Sequence, residues 1–201
     1  MAIEIARLRA WLSIVVDQPD VNNIEPLPNL DFKFVCANSL IPLEVENQTN
    51  ILSPDIHDQL VDIRDKYYRA RTKESKESWR QKYYKLTDRN PNSEPSKQDM
   101  FASTRRKQLN SFNPFKFSHP AEFFDSDYMF GVPLFDIVIG NPPYGAKYHQ
   151  SLRTVFKRIY ESANTNKNFH GSLDTYVLFI EMGYRNLTLN GVLNYIVPLV
   201  S

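Results

Sequence analysis

The sequence predicts an α/β fold built on a parallel sheet, and three observations carry that expectation. Leu134-Phe135-Asp136-Ile137-Val138-Ile139 is a short, nearly continuous apolar run, which is how a parallel strand covered on both faces reads. Val192 to Val197 is a second such run. Two helical stretches lie between them, about Ser151 to Ser162 and Asp174 to Leu187, so strands and helices alternate as parallel sheets require.

The elements follow in order. Ile5, Leu8, Leu12 and Val15 recur at helical spacing, so Ala2 to Val16 reads as an amphipathic helix. No capping residue precedes it, and a helix already under way at residue 2 points to a piece of something longer. Gln18 to Asn29 is a Pro-containing connection to a short strand at Phe32 to Cys36, with Asn38-Ser39 at its carboxyl end. Ser53-Pro54-Asp55 starts a helix: Ser caps, Pro suits the first helical position and Asp complements the dipole. Ile56, Leu60, Ile63 and Tyr67 continue its apolar stripe, and a second helical stretch runs from about Lys73 to Leu86. Together these form a helical insertion at about 53–86, followed by a loop-rich segment at about 87–133. Within that segment Asp88 to Asp99 is polar, with Pro91 and Pro95, and Phe112 to Phe124 is aromatic, with Pro114 and Pro120 breaking any helix. Asn190-Gly191 reads as the stop of the helix that begins near Asp174.

Composition narrows the classes. The formal net charge is +1, so a polyanion-binding surface would have to be local. Arg64 to Lys85 is such a place, with nine Lys/Arg against three Asp/Glu and Tyr67, Tyr68, Trp79, Tyr83 and Tyr84 interleaved. It reads either as a surface for nucleic-acid phosphates or, preferably, as a solvated helix pair with some aromatics turned inward. The single cysteine, Cys36, excludes an intrachain disulfide and a cysteine-based zinc site, and suits a reducing cytoplasm. No apolar run approaches the roughly 20 residues that span a bilayer, and no signal peptide stands at the N-terminus.

The chemistry is concentrated at Asn141-Pro142-Pro143-Tyr144, directly after the first strand, where ligands bind in parallel sheets. Methyl transfer to an exocyclic amine is hard because the nitrogen lone pair is delocalised into the ring. Two acceptors aimed at the two N–H bonds draw it back onto nitrogen. The Asn141 side-chain oxygen and the Pro142 carbonyl can be those acceptors, in a loop stiffened by two prolines. Tyr144 then stacks on the base and holds it at attack distance. A plain Asn-Pro turn is the simpler alternative. No metal and no covalent intermediate is needed, and His57, His119, His149 and His170 lack metal-ligand spacing.

The run from Phe135 to Tyr144 resembles the catalytic motif of amino-methyltransferases. More narrowly, the chain resembles the methyltransferase part of large single-chain (type IIG-like) restriction-modification enzymes that methylate adenine in DNA. Residues 2–13, 28–33, 38–40, 174–179 and 191–198 are similar to successive elements of that family. The resemblance implies a partial Rossmann-like sheet dependent on S-adenosylmethionine, and a partial catalytic domain spanning residues 1–201. It implies that Asn141 and the Pro142 carbonyl accept from the amine of a flipped adenine, that Tyr144 stacks on it, and that Asn38 and Pro143 contact the cofactor. For Asn38 an Asx turn at a strand end is an equal alternative. Asp174 and Tyr176 either line the site or serve as a helix cap and a core aromatic.

The family's glycine-rich cofactor loop and ribose-binding acidic residue are not found among these residues. The six glycines (Gly131, Gly140, Gly145, Gly171, Gly183, Gly191) form no strand–glycine loop–helix. The expectation is therefore a fragment whose partners are double-stranded DNA and the remainder of a parent enzyme, and which is inactive alone. The competing readings are a protein-glutamine or RNA amino-methyltransferase, disfavoured by the long segment between Asn38 and Phe135, and an inactive truncated remnant.

Overall fold

In the computed structural model, the described residues are 2–16, 30–45, 54–87, 104–117, 119–145, 148–164 and 174–198. The expected connections at Gln18 to Asn29 and Asp88 to Asp99, and the cap at Ser53, lie outside them. The chain divides into two compact units, Met1–Gly131 and Val132–Ser201.

The first unit is helical: α1 (Ala2–Val16), α2 (Pro54–Arg69), α3 (Lys73–Leu86), α4 (Thr104–Ser111) and α5 (Ser126–Phe130). Helices α1 to α3 stand where the sequence places helical stretches. Thr72 starts α3 by accepting from the Ser75 N–H at 3.2 Å, and α2 and α3 pack on each other. Of the aromatics in this pair, Tyr67, Tyr83 and Tyr84 turn inward and Tyr68 stays exposed, while Lys82 lies 3.7 Å from the Trp79 ring centre. Most of the aromatic content thus serves the core. The buried Arg64 donates to the Tyr128 carbonyl and ties α2 to α5. Burial lowers its pKa, against the opposing pull of Tyr83, Tyr128, Asp127 and Asp125. The apolar residues Ile5, Leu8 and Leu12 of α1 remain exposed.

Phe32 to Cys36 is not a strand. Residues 31–33 form a turn and Phe32 has φ 62°, a conformation costly for a bulky side chain. The ring explains it: Phe32 sits edge-on to Tyr67, Tyr83 and Phe115, with centroids 5.6, 5.5 and 5.1 Å away. Extended pairing begins later. Ala37 and Pro42 make isolated parallel bridges to Ala121 and Phe124, with Ala121 N–H donating to Cys36 at 2.7 Å and Asn38 N–H to Ala121 at 2.8 Å. Two short helices, α4 and α5, stand within the stretch expected to be loop-rich. Asp125 caps α5 by accepting from Tyr128 N–H at 2.7 Å, and Gly131 ends it at φ 71°.

The second unit is β1 (Phe135–Gly140), α6 (Gln150–Ile159), α7 (Thr175–Arg185) and β2 (Leu187–Tyr195). The two strands pair in parallel, so the α/β expectation holds for this unit as a two-stranded sheet. Two details differ from expectation. Helix α7 ends at Asn186, whose N–H reaches the Gly183 carbonyl at 3.2 Å and whose side chain reaches Met182 at 2.8 Å, satisfying carbonyls orphaned at the helix end. Asn190-Gly191 therefore lies inside β2 and does not stop the helix. It falls in a bulge: Phe135 pairs with Leu187 but Ile137 pairs with Val192, so five steps along β2 oppose two along β1. A Cβ on Gly191 would stand 3.1 Å from both the Phe135 and Asp136 carbonyl oxygens, so glycine lets the backbones approach. The second difference is burial. Ile137 and Ile139 are 66% and 74% exposed, so β1 is not covered on both faces.

Candidate active site

The two prolines of the loop have no N–H, so the parallel ladder cannot run through them. It ends with the Ile196 N–H donating to the Gly140 carbonyl at 3.1 Å, and Asn141 to Tyr144 leave the sheet at its carboxyl end. Pro142 is buried and anchors the loop; Asn141, Pro143 and Tyr144 are exposed. Gly145 turns the chain at φ 60°, the left-handed region where a side chain would be strained.

Two side chains fix the loop's internal geometry. The Tyr144 hydroxyl lies 2.6 Å from Asn141 Oδ1 and 3.0 Å from the Ile196 carbonyl, just beyond β2. The Gly145 N–H donates to Asp174 Oδ1 at 3.4 Å, at the residue that precedes α7. Asp174 makes no side-chain cap bond to its own helix, so its carboxylate serves the loop. Tyr176, two residues further on, is half-buried.

Beneath the loop, Tyr195 pairs with Gly140, and its ring lies between Gly140 and Gly183 of α7. A Cβ at Gly140 would meet the ring at 3.1 Å, and one at Gly183 would meet the hydroxyl at 2.6 Å. Burial raises the Tyr195 pKa. The ring is thus a spacer that sets the distance between helix and sheet under the loop. Sequence reasoning missed Gly183, Tyr195 and Ile196. A glycine inside a helical pattern was the available signal for close packing, whereas a backbone carbonyl carries no side-chain signal at all.

Asn38 lies in the first unit. Its Oδ1 accepts from the Leu40 N–H at 3.3 Å and its carbonyl from the Ile41 N–H at 3.2 Å, which is an Asx turn. The turn engages the side-chain oxygen through one of its two lone pairs. The loop after β1 cannot cradle a carboxylate either, because Pro142 and Pro143 remove the N–H groups such a cradle needs. The described residues do not by themselves fit the carboxylate end of S-adenosylmethionine.

Among the described residues no helix is long and apolar enough to cross a membrane. The family model described as Eco57I restriction-modification methylase matches residues 1–200. Among curated proteins, the chain is 39% identical over 69 residues to the type II restriction enzyme and methyltransferase RM.Eco57I of Escherichia coli. That alignment covers 32% of this chain and 6% of the enzyme, so the likeness spans a small part of its length. No solved structure matches.

Proposed function

This chain belongs to the Eco57I restriction-modification methylase family, and from that membership we propose that it carries the base-facing part of a DNA adenine-N6 methyltransferase site. The observation that carries the reading is the Asn141-Pro142-Pro143-Tyr144 loop at the carboxyl end of β1, with Asn141 and Tyr144 exposed on a backbone pinned by Pro142. In this reading the substrate is an adenine flipped out of double-stranded DNA. The Asn141 oxygen and the Pro142 carbonyl accept from its two amine N–H bonds. This draws the lone pair out of the ring and onto nitrogen, which readies the amine as a nucleophile. The half-exposed Tyr144 ring stacks on the base, and its fixed position lowers the entropic cost of alignment. The strand pair β1–β2 is read as part of a Rossmann-like methyltransferase sheet.

S-adenosylmethionine, the usual donor of methylases, supplies an electrophilic methyl group. Pro143 is the loop residue that would face it.

Substituting Asn141→Ala in a methylation-competent enzyme carrying this sequence should lower adenine methylation by at least about a hundredfold, the usual scale for removing a group that stabilises developing charge. Cofactor affinity should be nearly unchanged. Undiminished methylation would sink the assignment. Tritiated-methyl transfer to DNA, RNA and protein in parallel separates this reading from the RNA and protein-glutamine alternatives.

A further inference from the structure

The Tyr144 hydroxyl carries one proton yet sits between two acceptors, Asn141 Oδ1 at 2.6 Å and the Ile196 carbonyl at 3.0 Å. Both distances are hydrogen-bonding ones, and one proton cannot serve both fully. The cluster is therefore one donor short, at the spot where the proposed reaction presents an amine with two N–H bonds. Asn141 has no other partner among the described residues, so nothing else selects which end of its carboxamide faces the site.

We propose, resting on the function argued above, that the Tyr144 hydroxyl is a positioning group in addition to the ring's stacking role. In the empty site it donates to Asn141 Oδ1, which holds the carboxamide with oxygen toward the base pocket. When an amine arrives, its N–H takes over at Oδ1 and the hydroxyl turns its proton to the Ile196 carbonyl. No covalent bond changes; one hydrogen bond is handed from loop to strand end. The ring edge stays tethered throughout, so the stacking platform and the acceptor are set by the same atom. A neutral carboxamide free to rotate through 180° would present its NH₂ group to the incoming amine for much of the time, a donor facing a donor.

Tyr144→Phe isolates the hydroxyl, since it keeps the ring at a site 46% exposed and needs no repacking. In the full chain, NMR of the Asn141 side-chain NH₂ reads the contact directly, because an O–H donor on Oδ1 strengthens the amide C–N double-bond character. Exchange between the two Nδ2 protons should become several-fold faster in the Phe variant, with backbone resonances away from the loop unchanged. In a methylation-competent enzyme carrying this sequence, Tyr144→Phe should lower kcat about five- to tenfold with KM for DNA nearly constant, the scale of one neutral hydrogen bond. Tyr144→Ala should worsen both. Unchanged Asn141 exchange would overturn the proposal. So would a large upfield move of a single Nδ2 proton in the Phe variant, which would place the amide nitrogen on the hydroxyl. Equal kcat for Tyr and Phe would overturn it too. An enzyme that transfers no methyl group to adenine would defeat the proposed function instead, while leaving the amide result standing.

Discussion

Gly183→Ala tests whether the spacing of α7 over the sheet is set by Tyr195. Alanine's intrinsic helix propensity should favour the variant by about 1 kcal/mol. The new methyl, however, would stand 2.6 Å from the Tyr195 hydroxyl, 2.8 Å from Leu193 Cδ1 and 3.1 Å from Tyr195 Cζ. Leu193 can rotate away. The tyrosine ring cannot retreat toward the sheet, because it already lies close over Gly140, where an added Cβ would be 3.1 Å from it. Helix and strand must then separate, and overpacking of this kind costs about 1–3 kcal/mol. The balance is a net loss of up to about 2 kcal/mol, which is up to roughly a thirtyfold rise in the open population. Both tryptophans, Trp11 and Trp79, belong to the first unit, so their fluorescence would not report on this change. Hydrogen exchange of peptides covering 175–197 would. Exchange slowed in the variant, as helix propensity alone dictates, would refute the spacer argument.

Three further outcomes follow from the same geometry. Gly191→Ala should destabilise the second unit by about 1–3 kcal/mol, because its methyl meets the backbone carbonyls of Phe135 and Asp136, which no rotamer can move; an unaltered urea midpoint for residues 132–198 in exchange experiments would contradict this. Burial is the main influence on the Tyr160 hydroxyl, with Arg185 lowering and Glu181 raising its pKa, and pushes it up to about 12, above the ordinary tyrosine value. The folded state then holds the proton longer than the unfolded one, so the contribution is intact below pH 10 and falls by about 1–2 kcal/mol as pH climbs toward 12; in Tyr160→Phe the alkaline slope of stability should flatten. Calorimetry of the chain by itself should show no micromolar affinity for S-adenosylmethionine, since the two prolines remove N–H donors that its carboxylate would need in the loop after β1.

What the sequence showed was mostly what is local. Helices α1, α2, α3, α6 and α7 were legible because each carries its own apolar period or start signal, and Asn141 to Tyr144 because two prolines after an apolar strand are chemically unusual. The stop signal of α7 was assigned to the wrong residues because Asn186 and Asn190-Gly191 are both plausible stops, and only the pairing with β1 shows which ends the helix. Phe32 to Cys36 has strand composition, but the aromatic cluster around Phe32 outweighs propensity and bends the backbone. Helices α4 and α5 carry weak periodic signals: α4 (TRRKQLNS) is nearly all polar, and α5 is five residues held by the Asp125 and Gly131 caps. The Asn141–Tyr144–Ile196 contact joins positions 52 residues apart through a main-chain oxygen, which no reading of side chains anticipates.

That separation also governs how the chain is made. Strand β1 leaves the ribosome about 50 residues before the strand that completes its ladder, a wait of roughly 3–10 s at ordinary elongation rates. Parallel pairing over such a distance is slow even afterwards, since loop closure precedes any reward from contacts. For that interval Phe135, Ile137, Val138 and Ile139 are an unpaired apolar segment on a nascent chain. Protection during synthesis, by a chaperone or by slow translation of residues 141–186, should therefore decide how much of the protein reaches its native state.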